Sequence, residues 1–288
     1  MPPRRPSVAG FDRRAISYAD TFPDPVKRAT IRTVEWLTAK PAILSRIARF
    51  DRLGPVGGQA FWDRALDVMG IRIDTPAAEI ARIPATGPVV LVANHPHGLV
   101  DGMMLAAIIG RVRPDYRILT RAILTGIDPT AARYMIPVPF PHEPDAQARM
   151  MAMRQESLDY LAAGGLVALF PAGRVAQATR PFGPAIEGEW HAFTAKLIRL
   201  SGAQVVPVHF TGQNSRLYQL AAQRTPSLRQ GLLLHEILRA MDRAHRPHIG
   251  PAIPPAALPL QTPREMLRDL RALTLALGTT PLAEIPSI

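Results

Sequence analysis

The six-residue run at 88–93, PVVLVA, constrains this chain more than any other segment. It is short, rich in valine and apolar throughout. A strand with one wet face alternates apolar and polar residues, whereas a continuous run fits a strand buried on both faces. Such strands lie in sheets covered by helices on each side. Further apolar runs at 116–120, 166–170, 205–210 and 248–253 alternate with helical patterns at 101–111, 145–163, 190–200, 214–222, 227–243 and 263–277. Asp145 stands where a helix cap belongs, and 137–144 reads as a proline-rich loop. Strands separated by helices predict an α/β fold, a mostly parallel central sheet flanked by helices. In such sheets reactive groups gather at the carboxyl ends of the strands.

Three units follow along the chain. Residues 1–24 are polar and proline-rich, lack the apolar stretch of a signal peptide, and read as a flexible arm. Residues 25–74 form an N-terminal amphipathic helical segment. Within it Ile31, Val34, Leu37, Leu44, Ile47 and Phe50 make an apolar stripe, and Lys27, Arg28, Arg32, Arg46, Arg49 and Arg52 crowd around it. Pro41 splits this stretch into two helices. Residues 75–288 are the main domain. The net charge is +11, and residues 1–53 carry 11 basic against 5 acidic residues, so over half the excess sits at this end. A basic amphipathic pair suits a membrane surface equally with an ordinary packed helix pair. An arginine, alanine and proline bias also raises the charge without any partner. No run of about 18 apolar residues occurs, so no spanning helix is expected. With no cysteine, disulfides, a thiolate nucleophile and Cys-held metals are excluded.

The segment that carries chemistry is Asn94-His95-Pro96-His97-Gly98-Leu99-Val100-Asp101-Gly102, directly after the buried run. A carboxylate at a helix start can accept one imidazole N–H and fix the tautomer, leaving the other nitrogen to take a proton. Pro96 and Gly98 supply a tight turn, and the helix dipole favours an ionised Asp101. The plainer alternative has Asp101 only capping the helix. Gly98, Gly102 and Gly173 read as turn residues, and His209 as a satisfied core histidine. His235, His245 and His248 read as scattered surface residues. Nothing assigns His142 a role.

This segment resembles the NH-x(4)-D signature of the glycerolipid acyltransferases, the 1-acylglycerol-3-phosphate acyltransferase family. Leu169-Phe170-Pro171-Ala172-Gly173-Arg174 is similar to the family's FPEGTR block, and Val205-Val206-Pro207-Val208 to its late V-P-V block. Asn214-Ser215-Arg216-Leu217 resembles a bacterial hemolysin-like branch. The order and spacing agree over roughly 75–255. The chain departs in having five residues between His95 and Asp101, Ala172 for the glutamate, and Arg174 one place early. The resemblance implies an enzyme of lipid metabolism and phospholipid biosynthesis, an O-acyltransferase with His95 as general base and Asp101 as its orienter. It implies direct transfer from acyl-CoA or acyl carrier protein to a lysolipid hydroxyl, with no cofactor and no metal. Arg174, Gly173 and Arg121 are the candidates for the acceptor's phosphate, and Arg121 and Arg133 are the candidates for the arginine of the family's second block. The acceptor stays open between a lysophospholipid and a lyso-aminolipid such as lyso-ornithine lipid. The expected location is cytoplasmic, peripherally on the inner face of the cell membrane.

Two other classes compete. His95-x-His97 with Asp101 is a fragment of a zinc-hydrolase motif, but leucine and valine fill the positions where Asp and His are needed. A basic nucleic-acid- or membrane-binding protein without catalysis fits the charge. Aromatics at 6% and the lack of a finger or an RNA-binding strand motif argue against nucleic acid as a partner.

Overall fold

In the computed structural model, which describes residues 16–19, 22–121, 128–139, 143, 145–258 and 262–279, three helices come first. They are α1 (Pro25–Thr38), α2 (Lys40–Arg52) and α3 (Ala60–Met69). Strand β1 (Val89–Ala93) leads through α4 (Leu99–Gly110) to β2 (Tyr116–Arg121) and β3 (Met135–Val138). Helix α5 (Ala146–Ala162) precedes β4 (Leu166–Leu169), and α6 (Ala192–Ser201) precedes β5 (Gln204–His209). Three short helices follow, α7 (Arg216–Arg224), α8 (Pro226–Gly231) and α9 (Leu233–Ala240), then β6 (His248–Ile249) and α10 (Pro263–Ala276). The strand order is β6-β5-β1-β4-β2-β3. All neighbours are parallel except β6, which runs antiparallel at one edge.

The apolar run explains this layering. Every residue of β1 is buried. Val89, Leu91 and Ala93 enter one core with side chains from α2, α3, α4 and α9. Val90 and Val92 enter the other, with α5, α6 and α10. The expected α/β fold, a mostly parallel sheet between helices, is therefore the observed one.

Several local expectations are corrected. The segment read as a loop from 137 begins inside edge strand β3, where Pro137 pairs opposite Thr120; a proline is tolerated at an edge because no further strand needs its N–H. Residues 140–142 and 144, and with them His142, lie outside the described residues. Asp145 precedes α5 in the left-handed region and its side chain makes no capping bond. The expected helix over 227–243 is two helices, since the continuous leucines at 232–234 hide the break. Pro41 sits in the first turn of α2, and the break falls at Ala39; a proline's missing N–H costs little there.

The N-terminal stripe divides. Ile31 and Phe50 are buried, but Leu37 is 82% exposed. The inward face of α1 instead buries Glu35, which accepts from Ser17 Oγ at 2.6 Å and Tyr18 N at 2.7 Å. Residues 16–19 of the arm thus lie against α1. No helix among the described residues is long and apolar enough to cross a membrane.

Candidate active site

Parallel registry sets the carboxyl ends of β1, β4 and β5 side by side: Val92 pairs with Leu169, and Ala93 with Val208. The loops leaving these ends carry Asn94–Gly98, Phe170–Arg174 and Phe210–Asn214. Asn94 fastens two of them. Its Nδ2 donates to Phe210 O at 2.9 Å and its Oδ1 accepts from Phe210 N at 2.7 Å. Sequence reading gave Asn94 no separate task; here it clamps the ends of β1 and β5. Asn94→Ala would leave the Phe210 N–H and C=O unpaired in a buried place. At about 1–3 kcal/mol for each orphaned group, denaturant unfolding should show a loss of about 3 kcal/mol. A loss below about 0.5 kcal/mol, the size of an ordinary surface change, would show that the clamp contributes nothing.

The next residue is pinned at its backbone. His95 N donates to Glu187 Oε2 at 3.2 Å, and His95 O accepts from Ala176 N at 2.8 Å. Its ring stacks on Phe170, with centroids 3.9 Å apart and planes 20° apart. The aromatic residue of the Phe170–Arg174 block therefore supports the histidine of the other block.

Asp101 is the centre of the arrangement. It is fully buried in the first turn of α4. Its Oδ2 accepts from His95 Nδ1 at 3.0 Å, His97 N at 2.8 Å and Gly98 N at 3.1 Å. Its Oδ1 accepts from His97 Nδ1 at 3.0 Å. Burial alone would raise the pKa of this carboxyl. The charge of His97 and the hydrogen bonds from both histidines outweigh burial and hold it well below the usual carboxylate range. An ionised carboxylate only accepts, so both histidines carry their proton on Nδ1. The two readings of Asp101, helix cap and histidine partner, are both realised. Gly98, at φ 83°, makes the turn that aims its N–H at the carboxylate. Gly102, expected in a turn, lies inside α4 with Phe170 beside its bare face.

A second layer was not legible. Burial pushes the pKa of His97 down, but Asp101 and then the buried Glu236 of α9 raise it on balance. Glu236 in turn accepts from Ser215 N at 2.8 Å. His245, expected at the surface, meets His97 edge-on at 5.7 Å. Gly212 passes so close that a Cβ there would stand 3.0 Å from His97 Nε2. Glu187 is buried, and its Oε1 has no hydrogen-bond partner among the described residues. Burial pushes its pKa up, partly opposed by the His95 N–H. No motif marks Glu187. Gly188 beside it packs over Ala172 and Arg174.

Of the remaining candidates, Arg121 and Gly173 meet each other, whereas Arg133 stands before the amino end of β3, at the opposite end of the strands. Arg121, at the end of β2, donates from Nη2 to Gly173 O at 3.1 Å. Gly173 turns the loop at φ 63°, and the next residue, Arg174, is exposed. Arg133 ends the short helix Pro129–Ala132 at the surface. His209 lies in β5 as expected, but its Nδ1 has no partner among the described residues, and burial pushes its pKa down to about 4. Among the described residues no three His, Asp or Glu side chains are grouped to hold a metal ion.

An imidazole backed by a buried carboxylate at the mouth of a parallel sheet is an arrangement able to take up and return a proton. The acyltransferase family profile matches residues 56–239, and the chain belongs to that family; it is an acyltransferase. Among solved structures it is similar to the crystal structure of the 1-acyl-sn-glycerophosphate (LPA) acyltransferase PlsC from Thermotoga maritima. The two share 14% sequence identity over 75% of this chain and 74% of that one, with a TM-score of 0.49. No curated protein matches the chain.

Proposed function

We propose that this enzyme transfers a fatty acyl chain from acyl-CoA or acyl carrier protein to the hydroxyl of a lysophospholipid-type acceptor. The observation that carries this reading is the 3.0 Å bond between His95 Nδ1 and the buried Asp101. With Nδ1 committed to the carboxylate, Nε2 takes the proton of the acceptor hydroxyl. The oxygen attacks the thioester carbonyl, and the tetrahedral intermediate collapses to ester and thiolate. The imidazolium returns its proton to the thiolate. No acyl-enzyme forms, and the chemistry requires neither metal nor redox cofactor.

Three further features support it. A cavity of about 140 Å³ lies between α2, α3 and the start of α4. Its mainly apolar lining includes Phe50, Phe61, Met69, Leu99, Met103 and Ile237. Leu99 directly follows the His95–Gly98 turn, so a chain held there directs its thioester toward His95. Arg121 and Arg174, at Gly173, suit a phosphate, because guanidinium forks match its oxygens. On α1, Val26, Trp36 and Leu37 face solvent beside Lys27 and Arg32. That arrangement supports peripheral docking on the inner face of the cell membrane, where the cytoplasmic donors are available.

The test is a matrix of donors and acceptors. Acyl-CoA and acyl carrier protein are each offered with lysophosphatidic acid, other lysophospholipids and lyso-ornithine lipid. The expected result is ester formation that requires an acceptor hydroxyl and favours phosphate-bearing acceptors. Thioester loss at the same rate without any acceptor would mean a hydrolase and would end the proposal. Preference for lyso-ornithine lipid would move the acceptor to the aminolipid class.

A further inference from the structure

Seven of the ten large apolar side chains that the described residues leave exposed lie on four elements packed in succession. The first is a hairpin of Gln177–Ala178 with Ala185–Ile186, which follows the Arg121–Gly173 corner. It packs on α7, α7 on α8, and α8 on α1. Phe182 stands at the hairpin tip, 70% exposed, and Ile186 on its return strand. Leu217 projects from α7 and Leu228 from α8; Val26, Trp36 and Leu37 are the α1 members. Over 25–38, 174–188 and 216–231 the chain carries eight basic residues, and its only acidic ones, Glu35 and Glu187, are both buried. Phe182 also holds φ 60°, a conformation that bulky residues disfavour and that glycine or asparagine adopts readily. Folding therefore gives no reason for an aromatic ring there.

We infer that the 177–186 hairpin, α7 and α8 form a second bilayer contact beside α1, with Phe182 inserted among the lipids and the surrounding arginines on anionic headgroups. The inference rests on the reading that the enzyme works at a membrane surface. Charge selects an anionic partner. Apolar side chains interspersed over four elements, one on a projecting tip, select a bilayer over an acidic protein, for which charge alone would serve. The root of the hairpin is joined to the site, since Ala176 N donates to His95 O. Docking by this face therefore brings the loop of His95 to the lipid surface that supplies the acceptor.

The experiment is co-sedimentation of the full chain with vesicles of phosphatidylcholine and phosphatidylglycerol, and with phosphatidylcholine alone. The test variant combines Arg180→Gln, Phe182→Asn and Leu217→Gln; a second combines Trp36→Gln and Leu37→Gln. Loss of one interfacial arginine and two inserted apolar groups should lower partition onto the anionic vesicles about tenfold or more. Asparagine suits the Phe182 backbone, so the unfolding midpoint should not fall. Transfer to a water-soluble short-chain acceptor should be unchanged, while transfer to an acceptor embedded in vesicles falls. Wild-type partition in the test variant, with loss only in the α1 variant, would overturn the inference and leave docking by α1 standing. No vesicle binding by the wild-type chain would remove both. Loss of carrier-protein binding with vesicle binding intact would give the face to an acidic protein and overturn the inference as well.

Discussion

His95→Ala is expected to lower kcat for acyl transfer by about three orders of magnitude, the scale at which a positioned general base contributes. The acceptor KM should move by no more than about twofold, because the lost group acts on a proton that moves only in the transition state. The fold should tolerate the change. The backbone bonds of His95 to Glu187 and Ala176 do not involve its side chain, and the ring is partly exposed at the site mouth. Steady-state kinetics on the acceptor found by the donor–acceptor matrix measures the effect, with circular dichroism as the check on folding. His97→Ala is the necessary comparison, since His97 holds the other oxygen of the same carboxylate at the same 3.0 Å. If His97→Ala is inactive while His95→Ala retains most of its rate, the base has been assigned to the wrong histidine.

That comparison matters because of what the sequence could and could not reveal. The sheet was legible because β1 is buried on both faces, and an unbroken apolar run has few other uses. The His95–Asp101 pair was legible because a turn containing Pro96 and Gly98 leaves a short, defined span between strand end and helix start. The partners that complete the site are distant in sequence. Phe210 lies 116 residues from Asn94, and Glu187 lies 92 from His95. No local pattern reports such contacts, because they arise from strand order, which places β5 and β4 on either side of β1. The contact of His245 with His97 is hidden from the sequence for the same reason. Ala244 and Arg246 beside His245 are exposed, and only the fold brings that histidine against His97. The second, parallel strand pair, Arg72–Ile73 with Ala244–His245, makes that approach and is too short to leave a periodic signal. Pro137 failed differently, since proline marks a loop in most settings and an edge strand in a few.

Asp101→Asn is expected to reduce both activity and stability, and the two losses separate by pH. An asparagine in place of Asp101 cannot accept from four donors, and its amide places N–H groups against N–H groups. Removing one partner of a buried charge pair costs about 3–5 kcal/mol, and a histidine left in the wrong tautomer costs about 10⁴ in kcat. The pH dependence identifies the carboxylate as the cause. Asp101 has a folded pKa depressed below its unfolded value of about 3.9. Its contribution is complete above that value and is lost as pH falls toward the folded one. His97 has the opposite sign: its folded pKa is raised above its unfolded value of about 6.5. Its share is complete below that value and is lost as pH rises through the folded one. The pair therefore stabilises most between about pH 4 and 6.5, the interval between the two unfolded values. Denaturant midpoints measured across this range should fall on both sides for the wild-type chain. In Asp101→Asn both declines should flatten, because the carboxyl is gone and His97 no longer has a charge beside it. Wild-type and variant curves that run parallel in acid would show that Asp101 titrates as an ordinary carboxyl, and the buried anion on which His95 depends would have to be abandoned.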